Sequence, residues 1–207
     1  MTRASRLTRT FFTSDTLHVA RQLLGQRLVR LEPDGLRLAG IISEAEAYIG
    51  TQDMACHAHS GRTPRNRAMW GEPGHAYVYF TYGMHWMLNF VTEREGFPAA
   101  VLLRGVLPAE GVERMRERRP GRSDDQLCSG PAKLCQAFDI DRGFDGYDLC
   151  QPSPELFLEA GSTIPDIHVT IGPRVGLNNV EEPWKSKPWR FRIEESFAHQ
   201  IQEEIDG

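Results

Sequence analysis

Several kinds of segment are missing from this 207-residue sequence, and each absence argues against a class of protein. No apolar run approaches the ~20 residues needed to cross a bilayer, so a membrane protein is not predicted. The four cysteines include no C-x-x-C pair, which argues against a zinc knuckle and favours reduced, mostly buried thiols. The basic residues near the start are not followed by the continuous apolar stretch of a secretory signal, so we expect a cytoplasmic protein.

The glycine-rich nucleotide cradles are missing as well. No G-x-G-x-x-G enters a predicted helix and no G-x-x-x-x-G-K-[ST] occurs, so neither a dinucleotide nor an ATP site is predicted. The serine-hydrolase elbow G-x-S-x-G is absent, and His57 and His59 are followed by no second pair of metal ligands. We therefore expect a protein that uses no cofactor and no metal.

The net charge of −4 by itself argues against a partner as anionic as nucleic acid. The charges are segregated, however, because acidic residues crowd the C-terminal end while basic residues form three clusters. These clusters are Arg62, Arg65 and Arg67; Arg114, Arg116, Arg118, Arg119 and Arg122; and Lys185, Lys187, Arg190 and Arg192, the last interleaved with Trp184 and Trp189. Local basic surfaces on an acidic protein remain compatible with a polyanion. The first cluster could equally lie in a solvated connecting loop, and the second could be the ordinary solvated face of a helix.

Apolar periodicity and turn residues predict one α+β domain over residues 1–207. We expect a curved, mainly antiparallel β-sheet (a partial barrel) with surrounding helices and a protruding β-hairpin, and flexible tails at 1–9 and 195–207. The predicted helices are 13–25, 108–119 and 129–138, and the predicted strands are 26–31, 36–44, two within 76–92, 99–103, 167–171 and 188–193. A Pro-Asp-Gly turn joins the first two strands.

The run from Ser43 to Tyr48 concentrates polar groups at the end of an apolar strand. If the strand continues straight, alternation places Ile42, Glu44, Glu46 and Tyr48 on one face. Such carboxylates either lie on the solvated face of an edge strand or meet a charged partner and do chemistry. Arg104, at the end of a buried strand, is a candidate partner for Glu46.

Three flat side chains complete a candidate site with that carboxylate. Tyr48, His57 and Tyr79 would hold a flat heterocycle, while Glu46 would act as a base on an adjacent N-glycosidic bond. A base in duplex DNA reaches such a pocket only after it rotates out of the stack. Tyr82, at the predicted hairpin tip, could fill the gap from the minor groove.

Several segments together resemble the alkyladenine (3-methylpurine) DNA glycosylases. They are Glu44 to Tyr48, His57 to Arg67, Tyr77 to Met84, Val101 to Arg104 and Leu127 to Cys135, and the resemblance extends over about residues 10–193. The implied site residues are catalytic Glu46, Arg104 and Val175; base-pocket Tyr48, His57, Tyr79, Asn89 and Leu102; intercalating Tyr82 and Met84; and DNA-backbone Arg62, Arg65, Arg67 and Lys133.

The resemblance also implies individual roles. Glu46 would activate the attacking water, which Arg104 and the backbone carbonyl of Val175 would help to place. Asn89 would crowd the exocyclic amine of guanine. No lysine would form a Schiff base, so the product would be an abasic site.

The expected activity is therefore base-excision repair of 3-methyladenine, hypoxanthine or ethenoadenine by a monofunctional DNA N-glycosylase. The expected partner is double-stranded DNA containing damaged purines, with no membrane, and the protein would be a monomer at the bacterial nucleoid. Two alternatives stay open. One is a non-catalytic nucleic-acid-binding module in which Glu46 merely pairs with Arg104, and the other is a hydrolase of free nucleosides.

Overall fold

The computed structural model describes residues 5–206, which form a single α+β domain around a curled antiparallel half-barrel sheet. The strands are β1 Arg27–Leu31, β2 Arg37–Ile49, β3 Ala76–Thr81, β4 His85–Val91, β5 Ala99–Glu110, β6 Leu156–Glu159, β7 Val169–Gly172 and β8 Arg190–Ile193. The α-helices are α1 Arg9–Phe12, α2 Thr16–Leu23, α3 Val112–Arg118, α4 Asp124–Leu127, α5 Pro131–Ala137 and α6 Glu195–Asp206. Short 3₁₀ helices cover Arg67–Trp70, Arg142–Phe144 and Asp166–His168.

The sheet has the strand order β3-β4-β5-β2-β1-β6, and all of its pairs are antiparallel. The long strand β2 pairs with β5 along one edge; its other edge pairs first with β1 and then, at residues 44–46, with β8. The sheet therefore forks at the middle of β2, where the candidate carboxylates lie. The predicted curved antiparallel sheet and its hairpin of β3 and β4 are confirmed.

Local sequence explains the first helix that packs on the sheet. The Asp15 side chain accepts hydrogen bonds from the backbone N–H groups of Leu17 and His18, which caps α2. Val19, Ala20 and Leu23 on its inner face are fully buried. Gly25, with φ +86°, turns the chain into β1, and a side chain there would collide with the Ser162 carbonyl.

The pairing of β2 with β5 is interrupted around Glu44. The register passes from Ile42 opposite Val106 to Glu44 opposite Gly105, and it skips Ser43 on β2 and Arg104 on β5. Each β-bulge reverses which face the following side chains point to. Ile42 consequently lies in the main core beside Ala45 and Ala47. The prediction that Ile42 shares a face with the carboxylates is therefore wrong, because the strand does not continue straight.

Other element boundaries also differ from the sequence prediction. Residues 108–110 extend β5, and α3 begins only after Gly111, whose φ of +70° ends the strand. Strand β6 and helix α4 were not predicted. Within the predicted tails, Leu7 donates its backbone N–H to the carbonyl of Leu158 in β6, and residues 195–206 form α6. Residues 1–4 and 207 lie outside the described part of the chain.

Two apolar clusters support the region of interest. The main core lies between the sheet and helices α2, α5 and α6. A smaller cluster of Cys56, Ala58, Met69, Tyr77, Val91 and Ala100 attaches the long loop after β2 to the sheet, with Tyr48 and Tyr79 packed against it. Across residues 5–206, no helix is long and apolar enough to cross a membrane.

Candidate active site

A cavity of about 320 Å³ opens on the side of the sheet that carries Tyr48 and Tyr79. Strands β2 to β5 and the loops after β2 and β7 contribute its walls. The cavity brings together all five predicted base-pocket residues, namely Tyr48, His57, Tyr79, Asn89 and Leu102. Arg104, Val175 and Tyr82 line it as well.

Glu46 lies directly behind the wall of this cavity. Its side chain is fully buried and is not among the cavity-lining groups, whereas its three contact partners are. Oε1 accepts a hydrogen bond from the Val175 backbone N–H at 2.7 Å and lies 3.3 Å from Nε of Arg104. Oε2 accepts from the Tyr48 hydroxyl at 2.9 Å. The carboxyl group is thus joined to the cavity on three sides.

The environment makes Glu46 a stronger base than an exposed carboxylate. Burial raises the pKa of Glu46, and the Arg104 charge, the Val175 amide and the Tyr48 hydroxyl oppose that rise by favouring the ionised form. The backbone N–H of Val175 contacts Glu46, and the role expected for the carbonyl of that residue in placing the attacking water stays a prediction.

Arg104 lies on the bulge of β5, which allows its side chain to reach two carboxylates. Its Nε lies 3.1 Å from Oε1 of Glu44 and 3.3 Å from Oε1 of Glu46. Glu44 also faces Arg190 of β8 at 3.4 Å. The predicted pair of Arg104 and Glu46 is present, and Glu44 contacts the same Nε atom.

The aromatic walls are braced by groups outside the predicted set. The rings of His57 and Tyr79 meet at 4.4 Å with an interplanar angle of 76°. Nδ1 of His57 lies 2.8 Å from the hydroxyl of the buried Tyr77. Burial, with a smaller contribution from the nearby Arg65 charge, lowers the pKa of His57 to about 4, so the imidazole is neutral at neutral pH. Tyr77, a phenol alternating with Tyr79 on β3, is a site residue that sequence reasoning missed.

Asn89 and Leu102 face each other across β4 and β5 at the cavity floor. The Asn89 side-chain amide donates to the backbone carbonyl of Tyr77 at 3.0 Å, which fixes its orientation in the buried floor.

The hairpin of β3 and β4 presents exposed side chains at its tip. Tyr82 is 85% exposed with φ +52°, and Met84 is 68% exposed. Phe80 and Trp86 are paired across the two strands, with ring centroids 4.6 Å apart. This aromatic pair stiffens the hairpin just below its tip.

The predicted DNA-backbone residues fall into two groups. Arg62, Arg67 and Lys133 are exposed, and Lys133 Nζ lies 3.3 Å from Ser129 Oγ. Arg65 is exposed as well, but it also supports the cavity wall, with its guanidinium 5.5 Å from the Tyr79 ring centroid and a hydrogen bond to the Phe80 carbonyl.

The second basic cluster of the sequence is largely neutralised by acidic partners. Arg114 contacts Glu32 at 2.5 Å and Asp34 at 2.9 Å, and Arg116 contacts Asp124 at 2.6 Å. The charge count alone could not indicate these pairings, because the partners come from other elements. Among the described residues, no group of three or more His, Cys, Asp or Glu is arranged to hold a metal ion.

A buried ion pair behind Tyr48 was also missed by the sequence analysis. Arg174 donates to both carboxylate oxygens of Asp53, at 2.6 and 2.9 Å, and both side chains are fully buried. The available signal was weak: Asp53 is one of only two acidic residues in the basic loop 50–74.

Comparison with known proteins identifies relatives over most of the chain. Residues 10–197 match the family model described as methylpurine-DNA glycosylase. A protein of Methanocella arvoryzae, provisionally named a 3-methyladenine DNA glycosylase, is 50% identical over 89% of this chain and 90% of its own length. The DNA-3-methyladenine glycosylases of mouse and human are 45% and 43% identical over 93% and 91% of this chain, which covers 60% and 66% of their lengths.

Proposed function

The chain belongs to the methylpurine-DNA glycosylase family, and on that premise we propose that Glu46 directs water at the N-glycosidic bond of a damaged purine. The protein is a DNA N-glycosylase of base-excision repair. One observation carries the catalytic assignment: a fully buried carboxyl group is bonded to three groups that line the aromatic cavity.

The damaged base must leave the duplex before it can enter the cavity, because a base that stays stacked in the duplex cannot reach a pocket of this kind. Rotating a nucleotide out costs a few kcal/mol, and least for a damaged or mispaired base. Tyr82 and Met84, exposed on the braced hairpin, are suited to fill the vacated position.

Hydrolysis follows from the charges around Glu46. As the bond to the purine breaks, positive charge develops on the sugar, and a carboxylate both stabilises it and accepts a proton from water. Arg104 and the Val175 amide favour the ionised form of Glu46 and so oppose the rise in its pKa that burial causes. Water placed between the carboxyl group and the cavity would attack the anomeric carbon and release the base.

The walls also suggest which purines are accepted. Alkylated purines are electron-poor and leave readily, so they stack well against Tyr48, His57 and Tyr79. Neutral lesions such as hypoxanthine and ethenoadenine need a hydrogen bond, which the neutral His57 can supply. Asn89, held at the floor by the Tyr77 carbonyl, would clash with the exocyclic amine of guanine.

The product would be an abasic site with no covalent enzyme intermediate. None of the described residues lining the cavity is a lysine, which supports direct hydrolysis over Schiff-base chemistry. Exposed Arg62, Arg67 and Lys133 would hold DNA phosphates. We propose that the protein acts as a monomer on chromosomal DNA, which in a bacterium lies in the nucleoid.

Base release from defined substrates tests this function. The protein is incubated with chelator and duplex oligonucleotides carrying hypoxanthine, ethenoadenine or a methylated purine, and alkali-labile sites are quantified. We expect release from each lesion and none from undamaged duplex. Comparable activity on free deoxynucleosides would favour a nucleoside hydrolase, and tight lesion binding without release would favour the non-catalytic binding module.

A further inference from the structure

The buried ion pair of Asp53 and Arg174 has no part in the chemistry proposed above. Both side chains are fully buried, and removing two charges from water is costly unless geometry and further hydrogen bonds compensate. The pair makes those further bonds, and each of them ends on a segment that borders the active site.

Arg174 secures the strand that carries Glu46. Its guanidinium donates to the carbonyl of Ala47 at 3.0 Å and to that of Trp184 at 3.2 Å. It also lies over the rings of Tyr48 and Trp189, 4.7 and 4.9 Å from their centroids. The Tyr48 ring, one wall of the cavity, therefore rests on this guanidinium.

Asp53 secures the loop on the other side of the cavity. Its carboxylate accepts backbone N–H bonds from Ile49 at 3.2 Å and from Ala55 at 3.1 Å. Ala55 and His57, which follow, line the cavity. The end of β2 and the start of the His57 loop are thus tied to the same ion pair.

The residue after Arg174 makes the connection to the catalytic carboxylate. Val175 donates its backbone N–H to Glu46 at 2.7 Å, and Val175, Gly176 and Leu177 line the cavity. Because the Arg174 side chain is anchored at four points, the peptide that it precedes has a fixed place.

We propose that the Asp53–Arg174 ion pair is a positioning element, which clamps the loop after β7 onto β2 and so holds the Val175 amide on Glu46 and the Tyr48 ring against the base. This inference rests on the proposed catalytic role of Glu46. Arg174 and Asp53 are positioning residues, since neither lines the cavity.

The substitution Arg174→Lys isolates the positioning effect from the charge. Lysine keeps the positive charge but loses the planar fork that contacts Asp53 twice and stacks on two rings. The Val175 amide then loses its fixed place, and a weaker hydrogen bond to the ionised carboxylate raises the pKa of Glu46. The substitution removes none of the other charged or titratable groups that face Glu46, namely Arg104, Glu44, Tyr48 and Tyr79, although the Tyr48 ring loses its contact with the guanidinium.

The test is single-turnover release of hypoxanthine from duplex DNA across a pH series, with thermal melting of each variant. For Arg174→Lys we expect release at neutral pH to slow by roughly 10- to 100-fold, as for small misplacements of reacting groups. The acidic limb of the pH–rate profile should move to higher pH. The matched control is Arg37→Lys, which loses a forked contact to Glu159 away from the cavity and should lower the melting temperature without moving the limb.

The inference would be overturned if Arg174→Lys folds and shows the wild-type rate and the wild-type acidic limb of the pH–rate profile. It would also be overturned if Arg37→Lys moved that acidic limb by the same amount. If Arg174→Lys does not fold, Trp189→Leu is measured in the same assay, because Trp189 is one of the two rings that the Arg174 guanidinium lies over. We expect a smaller shift of the acidic limb in the same direction, and an unmoved limb would contradict the inference. Glu46→Gln separates the two proposals. Full activity in Glu46→Gln refutes the catalytic role, whereas an inactive Glu46→Gln beside a wild-type Arg174→Lys refutes only the clamp.

Discussion

Nε of Arg104 lies 3.3 Å from Oε1 of Glu46, and this contact exists because Arg104 occupies a bulge in β5. The bulge turns the guanidinium from the pleat of a regular strand toward two carboxylates at once. A single cation therefore balances both Glu44 and Glu46 at the fork of the sheet, which favours the ionised form of the buried Glu46 carboxylate.

Replacing Glu44 tests this shared arrangement. The Glu44 charge contributes to the raised pKa of Glu46, so Glu44→Gln is expected to lower the pKa of Glu46. Base release depends on the ionised form, and its acidic limb should therefore shift to lower pH. The measurement is the pH–rate profile under single-turnover conditions. A limb that stays in place or moves to higher pH would show that Glu44 does not act on Glu46 through its charge.

The ionised Glu46 carboxylate, which base release requires, should lower the stability of the fold. Because the pKa of Glu46 is raised by folding, the folded chain holds this proton more tightly than the unfolded chain, and stability is lost as pH rises through that window. Glu46→Gln removes this cost, so its Tm should exceed the wild-type Tm at pH ~7 and match it near pH ~4.

The comparison uses thermal melts of both proteins at the two pH values, with exposed Glu113→Gln as the control that shows no such difference. If the Tm of Glu46→Gln at neutral pH is lower than the wild-type Tm, the ionised carboxylate stabilises the fold, and the expectation is contradicted.

The hairpin tip should speed base release only from duplex DNA, in which the base is paired. For Tyr82→Ala we expect release from duplex DNA to fall by about tenfold or more, because ~1.4 kcal/mol of support for the flipped state is worth that factor. Release from single-stranded substrate should fall much less. Single-turnover rates on both substrates provide the measurement, and equal losses on both would contradict the intercalating role of Tyr82.

The salt dependence of DNA binding distinguishes the exposed Arg62 and Arg67 from arginines bonded to a carboxylate. Arg62→Gln and Arg67→Gln should each weaken binding and reduce the slope of log K against log salt by about 1, since each would remove one phosphate contact. Arg116→Gln is the matched control, because that guanidinium is already bonded to Asp124 at 2.6 Å. Titrations of lesion duplex at several salt concentrations give the slopes, and a reduced slope for Arg116→Gln would reverse this assignment of the surfaces.

The features that the sequence predicted well are local ones. The turn after β1 and the hairpin tip at Tyr82 depend on a few neighbouring residues, and the structure places them as expected. The predicted pocket residues also meet in one cavity. Alternation along regular strand segments accounts for Tyr48, Tyr79, Asn89 and Leu102, whereas His57 comes from the loop after β2.

The features that could not be predicted depend on contacts between distant segments. The bulges at Ser43 and Arg104 are set by the pairing of two strands, which alternation within one strand cannot reveal. The bond between Arg174 and Asp53 joins residues 121 positions apart. Similarly, the start of α3 is decided by continued pairing of β5 with β2, and sequence favours a helix from Pro108.

The central claim is that the Glu46 carboxylate activates water, and the most direct measurement is single-turnover release of hypoxanthine by Glu46→Gln. General-base catalysis typically contributes 10²- to 10⁴-fold, so we expect a loss of roughly that size while the affinity for lesion duplex stays within about threefold of wild type. Release by Glu46→Gln at the wild-type rate would contradict the account, because some other group would then have to deprotonate the water.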